Sequence, residues 1–348
     1  MTAEYQNFLS NLCWLIPHSV WQELNGKSVL YFGANGAIGK LLADLLMYYN
    51  RQFNGNIIYI AGGRDAGRLK TTYREYTNEA AFKIMQQDVT HEITTDYRPN
   101  YMIHGASNTH PVLYSTDPIG TITANVIGTK NILDFAVSLG NCRVLFLSSV
   151  EVYGENRGDV ENFSEDYCGY IDCNTLRAGY PEGKRAGESL IQAYIATNNM
   201  DALILRLARV YGFTMTQSDS KALSQFLRSA MKNQDIVLKS AGSQLYSYLF
   251  IADAVSSILH TLLFGEKGQA YNAASDHSEI TLKDLARLIA DEAKVNVVYQ
   301  SADSIEKKGY STATKALLDT SKIKQTGWES HFGIHRGINI TLKLLRGV

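Results

Sequence analysis

The chain has 348 residues, of which 45% are apolar and 19% are charged, and its formal net charge at pH 7 is −1. This length allows one large α/β domain and a smaller lobe, and the near-zero charge argues against nucleic acid as a partner, because polyanions are attracted by strongly basic surfaces. No stretch approaches the roughly 18 apolar residues that would span a membrane. The composition favours small-molecule chemistry away from membranes.

The pattern of the first 210 residues predicts a lead segment followed by an α/β domain. Residues 1–26 are a lead segment in which the sequence suggests a helix packed on the main domain. After it, the predicted strands are SVLYF (28–32), NIIYIAG (56–62), NYMIHGAS (100–107) and CRVLFLSSV (142–150), and the helices include KLLADLLMYY (40–49), TKNILDFAV (129–137) and ESLIQAYIA (188–196). Apolar strands alternating with amphipathic helices are typical of a parallel sheet covered on both faces. We predict a doubly wound α/β fold for residues 27–210.

The alternation ends after about Tyr211. Short strands and helices of mixed order follow it, among them KALSQFLRSAMK (221–232), QAYNAA (269–274) and TLKDLARLIADEA (281–293). These pieces predict a smaller mixed α/β lobe, residues 211–348, with a stretch near 245–262 that returns to the main domain. We expect the lobe to cover the carboxyl ends of the strands, where open α/β sheets bind their ligands.

The first strand leads into a glycine-rich turn, KSVLYFGANGAIG (27–39). Gly33 permits a tight turn, Gly36 lets the backbone approach a pyrophosphate, and Gly39 lets the next helix pack closely, with its positive dipole end towards the phosphates. The flanking strand and helix supply the context that such a motif needs. The turn therefore predicts a Rossmann dinucleotide site, with contacts from Gly33, Asn35, Gly36, Ala37, Ile38 and Gly39.

The end of the second predicted strand reads AGGR (61–64), where a carboxylate would bind the ribose hydroxyls of NAD. Arg64 is placed to pair with the 2′-phosphate of NADP, which favours NADP. Asp65 follows directly and keeps NAD as the alternative.

A second motif follows the strand CRVLFLSSV. Ser149 ends this strand, and Tyr180 and Lys184 lie further along in RAGYPEGKRAGE (177–188). Pro181 suits the first helical position, which would make Tyr180 the cap and put Lys184 one turn later on the same face. Tyr180 is then the expected base that takes a proton from an alcohol, its pKa lowered by Lys184 and by the oxidised nicotinamide ring, while Ser149 donates a hydrogen bond to the substrate oxygen.

Together these motifs resemble the extended short-chain dehydrogenase/reductase superfamily, and within it the nucleotide-sugar epimerases, dehydratases and decarboxylases. The resemblance covers roughly residues 27–345 and rests on SSVEVYG (148–154), NVIGTKNIL (125–133), VYG (210–212), IADAV (251–255), QAYNAA and LDTSKIKQTGW (318–328). The stretch EDYCGYIDCNTLRAGYPEGKRAGE (165–188) is most similar to the decarboxylases. The resemblance implies further cofactor contacts at Asp88, Val89, Gly105, Ala106, Ser107 and Asn125.

By this resemblance, we expect an enzyme that oxidises C4 of a nucleotide sugar with a tightly bound NADP or NAD, acts on the ketone and returns the hydride. Glu151 matches the position at which the dehydratases keep the base for the C5 proton and at which the decarboxylases also carry a glutamate. Val150 stands where the dehydratases need an aspartic acid. Dehydration is therefore disfavoured against epimerisation or decarboxylation.

Two departures from the family pattern affect substrate recognition. Tyr246 stands where relatives place an arginine on the diphosphate, and Arg209 stands where they carry an amide. Our hypothesis is that the positive charge has moved across the pocket, so that Arg209, with Lys221, pairs with the phosphates or with a substrate carboxylate. A structural ion pair of Arg209 is the alternative.

Two other functions remain open. One is an NADPH-dependent reductase of 4-keto sugar nucleotides, and the other is a dinucleotide-binding protein that has lost catalysis. The resemblance also implies a homodimer formed through two helices of each subunit. The cysteines, at positions 13, 142, 168 and 173, lack the spacing of a zinc or redox site, so we expect free thiols in a reducing cytoplasm and no bound metal.

Overall fold

The computed structural model describes residues 1–109, 111–300 and 313–347. The strands are β1 (Ser28–Phe32), β2 (Ile58–Gly63), β3 (Phe82–Gln86), β4 (Tyr101–His104), β5 (Arg143–Ser149), β6 (Ala202–Leu207), β7 (Arg209–Tyr211), β8 (Ile236–Leu238), β9 (Leu245–Phe250), β10 (Ala270–Ala273), β11 (Glu279–Thr281), β12 (Val297–Tyr299) and β13 (Lys315–Ala316). The helices are α1 (Ala3–Leu15), α2 (His18–Leu24), α3 (Ala37–Phe53), α4 (Ala66–Thr72), α5 (Pro111–Thr116), α6 (Pro118–Leu139), α7 (Gly179–Asn198), α8 (Ala222–Met231), α9 (Ile251–Phe264), α10 (Leu282–Ala293), α11 (Ser321–Gln325) and α12 (Ile334–Arg346).

Seven parallel strands form the main sheet, in the order β3, β2, β1, β4, β5, β6, β10. Successive residues of a strand point to opposite faces. Val29 and Tyr31 of β1 accordingly belong to one buried cluster, and Leu30 and Phe32 belong to another. Both faces are thus covered, which explains the near-continuous apolar strands and confirms the predicted doubly wound parallel fold. The strand order reverses between β1 and β4, where such sheets bind ligands.

The lead segment forms two helices that pack against the main domain. The Tyr5 hydroxyl of α1 donates a hydrogen bond of 2.6 Å to Asp44, a buried carboxylate of α3. The Trp21 ring of α2 stacks on the Tyr49 ring of α3, with 4.0 Å between the ring centroids. These contacts attach residues 1–26 to the helix that follows the glycine turn.

The smaller lobe contains two short sheets. Strand β9 pairs with β7, β11 and β13, and β8 pairs with β12. The chain then returns to the main domain through α9, which packs on α3 and on β5 and β6, and β10 extends the main sheet beside β6. The division at residue 210 remains a prediction, since β10 lies beyond that boundary. Within the described residues no helix is both long and apolar enough to cross a membrane.

Candidate active site

A cavity of about 1080 Å³ runs along the carboxyl edge of the main sheet, between the glycine turn and the smaller lobe. Most of the site residues predicted from the sequence line it, which brings together the turn after β1, the turn after β4, the end of β5 and strand β7. The predicted residues on its wall are Gly33, Asn35, Gly36, Ala37, Ile38, Arg64, Asp88, Val89, Gly105, Ala106, Ser107, Ser149, Glu151, Tyr180, Arg209, Lys221 and Tyr246. The other three, Gly39, Asn125 and Lys184, lie behind the wall.

The glycine turn has the shape that a dinucleotide requires. Gly33 has a φ of +93°, and a Cβ atom there would lie 2.7 Å from the Gly105 carbonyl oxygen. A Cβ atom at Gly39 would lie 2.7 Å from the Ala34 carbonyl oxygen, so the first turn of α3 packs directly on the loop. Gly36 is the N-cap of α3, whose first turn carries no acidic residue. The free amides of this helix end therefore face the cavity with their partial positive charge, which suits a pyrophosphate.

Two arginines line the end of the cavity beyond β2. Arg64 and Arg68 are both exposed on its wall, and the sequence argument missed Arg68. Asp65 is the N-cap of α4, and its carboxylate accepts a hydrogen bond of 2.9 Å from the Arg68 amide. The same carboxylate is therefore partly committed to the helix end rather than free for a ribose.

Asp88 lies on the cavity wall beside this end, after β3. Burial opposes its ionisation, but hydrogen bonds from the amide and hydroxyl of Thr90 hold its pKa below the usual range. An ionised carboxylate there can accept a hydrogen bond from the amino group of a bound nucleotide base.

Ser149, at the end of β5, and Tyr180, in the first turn of α7, lie together on the cavity wall. The helix begins at Gly179 with Ala178 as its N-cap, so the prediction that Tyr180 is the cap was wrong by two residues. Burial raises the pKa of the Tyr180 phenol to about 12, against a smaller lowering by the hydrogen bond with Ser149. The phenol is thus protonated at neutral pH in the free protein.

Lys184 lies one turn after Tyr180 and is only 2% exposed. Its Nζ donates a hydrogen bond of 2.7 Å to the Leu147 carbonyl oxygen and lies 6.0 Å from the centroid of the Tyr180 ring. Burial lowers the pKa of Lys184 to about 7. In the protein without a cofactor burial therefore raises the Tyr180 pKa, and the lowering expected from Lys184 together with the oxidised nicotinamide ring remains a prediction for the loaded enzyme.

Asn125 is a buried residue of α6 on the side that packs against α7. Its amide nitrogen donates a hydrogen bond of 2.8 Å to the Thr121 carbonyl oxygen, while its Oδ1 is buried without a partner among the described residues. A Cβ atom at Gly183 would lie 2.9 Å from the Asn125 Cβ, so the two helices pack closely here. Contact of Asn125 with a cofactor remains a prediction, because the residue is not part of the cavity wall.

Glu151 is held between two arginines on the cavity wall. Its Oε2 lies 2.5 Å from Nη2 of Arg177, and its Oε1 lies 3.3 Å from Nη2 of Arg209. Burial opposes the ionisation of Glu151, but the two guanidinium groups keep its pKa below the usual range. Arg177 was not singled out in the sequence, and its ion pair with Glu151 joins residues that are far apart along the chain.

Strand β7 places Arg209 beside Tyr246 of β9. The Arg209 guanidinium lies 3.8 Å from the centroid of the Tyr246 ring, and the Tyr246 hydroxyl donates a hydrogen bond of 2.7 Å to the Ala313 carbonyl oxygen. In the free protein Arg209 thus forms the ion pair that was weighed as the alternative. Lys221 precedes α8, and its Nζ lies 3.4 Å from an Asp219 carboxylate oxygen. The structure therefore does not join Lys221 to Arg209.

One aromatic contact at the site was also missed. The Tyr114 ring of α5 stacks on the Tyr180 ring with 4.9 Å between centroids and an interplanar angle of 23°. This ring contributes to the burial that raises the pKa of Tyr180. Across the described ranges, no group of His, Cys, Asp or Glu side chains could hold a metal ion.

The sequence model of a known protein family matches this chain over residues 29–274, and its description is "NAD dependent epimerase/dehydratase family". UDP-glucuronic acid decarboxylase 2 of Arabidopsis thaliana is 28% identical over 346 residues, which are 99% of this chain and 74% of the relative. UDP-glucuronic acid decarboxylase 1 of Danio rerio is 26% identical over 330 residues, which are 94% and 74% of the two chains.

Solved structures share the fold. A UDP-glucose 4-epimerase of Thermotoga maritima with UDP-glucose superposes with a TM-score of 0.78 at 20% identity, covering 92% of this chain and 98% of the other. A UDP-glucuronic acid 4-epimerase of Bacillus cereus, in complex with UDP-glucuronic acid and NAD, superposes with a TM-score of 0.76 at 16% identity and covers 91% and 98%.

Proposed function

The chain belongs to the NAD-dependent epimerase/dehydratase family of nucleotide-sugar enzymes, and we propose that it oxidises the sugar of a nucleotide sugar at C4, decarboxylates or epimerises the ketone, and reduces it again. The observation that carries the proposal is the meeting of the glycine turn with Ser149 and Tyr180 on one cavity. The turn supports a dinucleotide, because the close approach of Gly33 to Gly105 brings the backbones of two loops together on the cavity wall.

When bound, the nicotinamide cofactor supplies a hydride acceptor and, in its oxidised form, a positive charge. The protein holds and moves the proton. Ser149 donates a hydrogen bond to the C4 oxygen, and Tyr180 takes the proton of that hydroxyl and later returns it. Since the phenol has a pKa of about 12 in the free protein, we expect it to become acidic only in the loaded enzyme, where additional positive charge faces the ring.

Decarboxylation of a uronic acid is the favoured reaction. Oxidation at C4 makes the C6 carboxylate a β-keto acid, which loses CO2 readily, and relatives that match over 99% and 94% of this chain are UDP-glucuronic acid decarboxylases. The dehydratase route needs an acid where this chain has Val150, whose side chain is apolar and buried. Epimerisation is the second candidate, since it requires only that the ketone turn over in the cavity.

We further propose that the protein accepts NADP as well as NAD. The enzymes of this family use NAD, and the finer preference rests on Arg64 and Arg68, which both line the cavity beyond β2. Two guanidinium groups suit the 2′-phosphate that distinguishes NADP. Identification of the dinucleotide released from the denatured protein tests this proposal, and the double variant of Arg64→Ala and Arg68→Ala should shift the retained cofactor towards NAD.

The same arginines support a second candidate, a reductase that consumes free NADPH to reduce a 4-keto sugar nucleotide. The two functions differ in what the purified protein carries. A retained dinucleotide and turnover without added cofactor support the redox-neutral enzyme, whereas an empty protein that oxidises NADPH stoichiometrically with product supports the reductase.

We also propose a homodimer formed by α6 and α7. These helices pack on each other, and α6 exposes apolar side chains, with Ile122 and Ile127 more than two-fifths exposed. Exposed apolar side chains on a helix of this packed pair support an interface there. Light scattering after size exclusion tests this arrangement, and Ile127→Lys should shift the mass from dimer to monomer.

The test of the reaction is a panel of nucleotide sugars followed by NMR without added cofactor. The proposal predicts that UDP-glucuronate yields CO2 and a UDP-pentose, and that Tyr180→Phe forms both about 10² to 10⁴ times more slowly. Formation of UDP-galacturonate would instead assign epimerisation at C4. Complete inertness towards every uronate and hexose of the panel, by a folded protein with bound cofactor, would contradict the proposed function.

A further inference from the structure

The cluster of Arg177, Glu151 and Arg209 carries one excess positive charge on the cavity wall. Glu151 uses one carboxylate oxygen for each guanidinium, at 2.5 Å for Arg177 and 3.3 Å for Arg209. The three side chains are only 15%, 16% and 23% exposed in the order Arg177, Glu151, Arg209, so solvent screens them little. A carboxylate thus already occupies a site made by two arginines.

Both arginines have supports that do not involve Glu151. The Arg209 guanidinium carbon lies over the Tyr246 ring, 3.8 Å from its centroid, and the pairing of β7 with β9 fixes the strands that carry the two residues. The Arg177 guanidinium lies 5.6 Å from the centroid of the Tyr114 ring. Cation–π contacts of this kind hold a guanidinium in place. The two cations would therefore remain together if the Glu151 carboxylate moved away.

Arg209 also has an unused donor. Its Nε is buried and has no hydrogen-bond partner among the described residues. An arginine that uses only one Nη in an ion pair, and whose Nε has no acceptor, can still make the bidentate hydrogen bonds that guanidinium groups form with carboxylates. Glu151 contacts Arg209 through a single oxygen at 3.3 Å, so it does not use this capacity.

The cluster lies next to the expected position of the reacting carbon. Ser149 is two residues before Glu151, and its Oγ accepts a hydrogen bond of 3.3 Å from the Glu151 amide. The charges of Glu151 and Arg177 both act on the pKa of the Tyr180 phenol. We therefore expect a sugar whose C4 oxygen lies between Ser149 and Tyr180 to carry its C5 substituent on the side of Glu151 and Arg177, and Arg209 lies on the other oxygen of the same carboxylate.

We propose that Glu151 acts in the free protein as an internal stand-in for a substrate carboxylate, and that the C6 carboxylate of a nucleotide-linked uronic acid displaces it from Arg177 and Arg209. This inference rests on the proposed function, because it needs the sugar to bind at Ser149 and Tyr180. A neutral hydroxymethyl group at C6 cannot replace a carboxylate on two guanidinium groups. The exchange is therefore open to uronic acids and closed to neutral hexoses, and the two arginines supply the preference while Glu151 competes with it.

An internal competitor has a measurable signature. Removal of its charge should tighten the binding of the charged ligand and leave that of the neutral ligand unchanged. The probes are UDP-glucuronate and UDP-glucose, titrated calorimetrically into the cofactor-loaded protein in a Tyr180→Phe background, which blocks turnover. Adding Glu151→Gln should lower the Kd of UDP-glucuronate about tenfold or more relative to UDP-glucose, as expected for the release of a charged hydrogen-bonded pair.

Two further variants complete the test. Glu151→Asp keeps the competing charge, so its ratio of the two Kd values should stay close to that of the parent. Arg177→Gln should raise the Kd of UDP-glucuronate about tenfold relative to UDP-glucose. Binding of UDP-glucose in each variant reports that the cavity is intact.

The outcomes separate the two claims. If both ligands bind but Glu151→Gln leaves the ratio of their Kd values unchanged, the exchange is overturned while the proposed function stands. If UDP-glucuronate loses affinity in Glu151→Gln, Glu151 contacts the ligand directly and the exchange is equally overturned. If neither ligand binds to the loaded protein, the proposed function fails, and the exchange fails with it.

Discussion

Replacement of Lys184 by methionine should change the pH dependence of the free energy of unfolding. The lysine is buried, and burial lowers its pKa from the usual 10.5 to about 7. Below pH 7 both the folded and the unfolded chain carry the charge, and the folded state bears the full cost of burying it. Between pH 7 and 10.5 the unfolded chain binds a proton that the folded chain does not, so stability rises with pH.

Each pKa unit between the two states corresponds to about 1.4 kcal/mol. The change from 10.5 to about 7 therefore corresponds to about 5 kcal/mol over the whole window, and to about 3 kcal/mol between about pH 7 and pH 9.5. Methionine has a similar length and no charge, so Lys184→Met lacks this contribution at every pH. The free energy of unfolding of the parent minus that of Lys184→Met should accordingly increase by about 3 kcal/mol as the pH rises from about 7 to about 9.5.

Urea unfolding of the cofactor-free parent and variant, at several pH values across this window, measures the difference directly. Titrations common to both proteins cancel in it. A difference that stays constant from pH 7 to pH 9.5, or that falls, would refute the reasoning, because it would mean that Lys184 keeps its charge in the folded protein. The same result would restore the simpler view that a permanent ammonium group acidifies Tyr180.

Other variants test the turn, the phenol and the packing behind the site. Tyr180→Phe should lower kcat about 10²- to 10⁴-fold, while calorimetry should show that nucleotide-sugar binding is retained. Turnover at the parental rate would mean that Tyr180 takes no part in the proton transfer. Glu188→Gln should lower the free energy of unfolding, measured in urea, by about 3 to 5 kcal/mol, because it leaves Arg206 without the carboxylate that lies 2.6 Å away. A change within the error of the measurement would show that the ion pair is dispensable for stability. Gly33→Ala should lower the free energy of unfolding by about 1 to 3 kcal/mol because of the positive φ at this position. It should also release the retained dinucleotide, because the new Cβ would meet Gly105. A variant that keeps both its cofactor and its stability would contradict this steric explanation.

The parts of the site that follow regular elements could be predicted from the sequence. The glycine turn is predictable because a tight turn from a strand into a helix leaves no space for side chains at these positions, and Gly33 indeed has a positive φ. Ser149 was recognisable because an apolar strand ends there in polar residues. In each case the signal lies within a few residues of the position itself.

The remaining features depend on contacts between distant segments. Arg177 carries no local signal, and its partner Glu151 lies 26 positions earlier in the chain. The raised pKa of Tyr180 comes from burial, to which the stacking of Tyr114 from a separate helix contributes. The stretch near 245–262 was expected to return to the main domain, but the particular elements on which α9 packs, α3, β5 and β6, depend on contacts that the local sequence does not show.

The central claim is that Tyr180 and an enzyme-held nicotinamide cofactor carry out a closed redox cycle on a nucleotide sugar. Rapid mixing of the purified protein with UDP-glucuronate, without added cofactor, tests it most directly. We expect an absorbance band of reduced nicotinamide that rises and decays within one turnover, leaves no net reduced cofactor, and is absent in Tyr180→Phe. Product formation without any transient band in the parent, or an undiminished band in Tyr180→Phe, would contradict it.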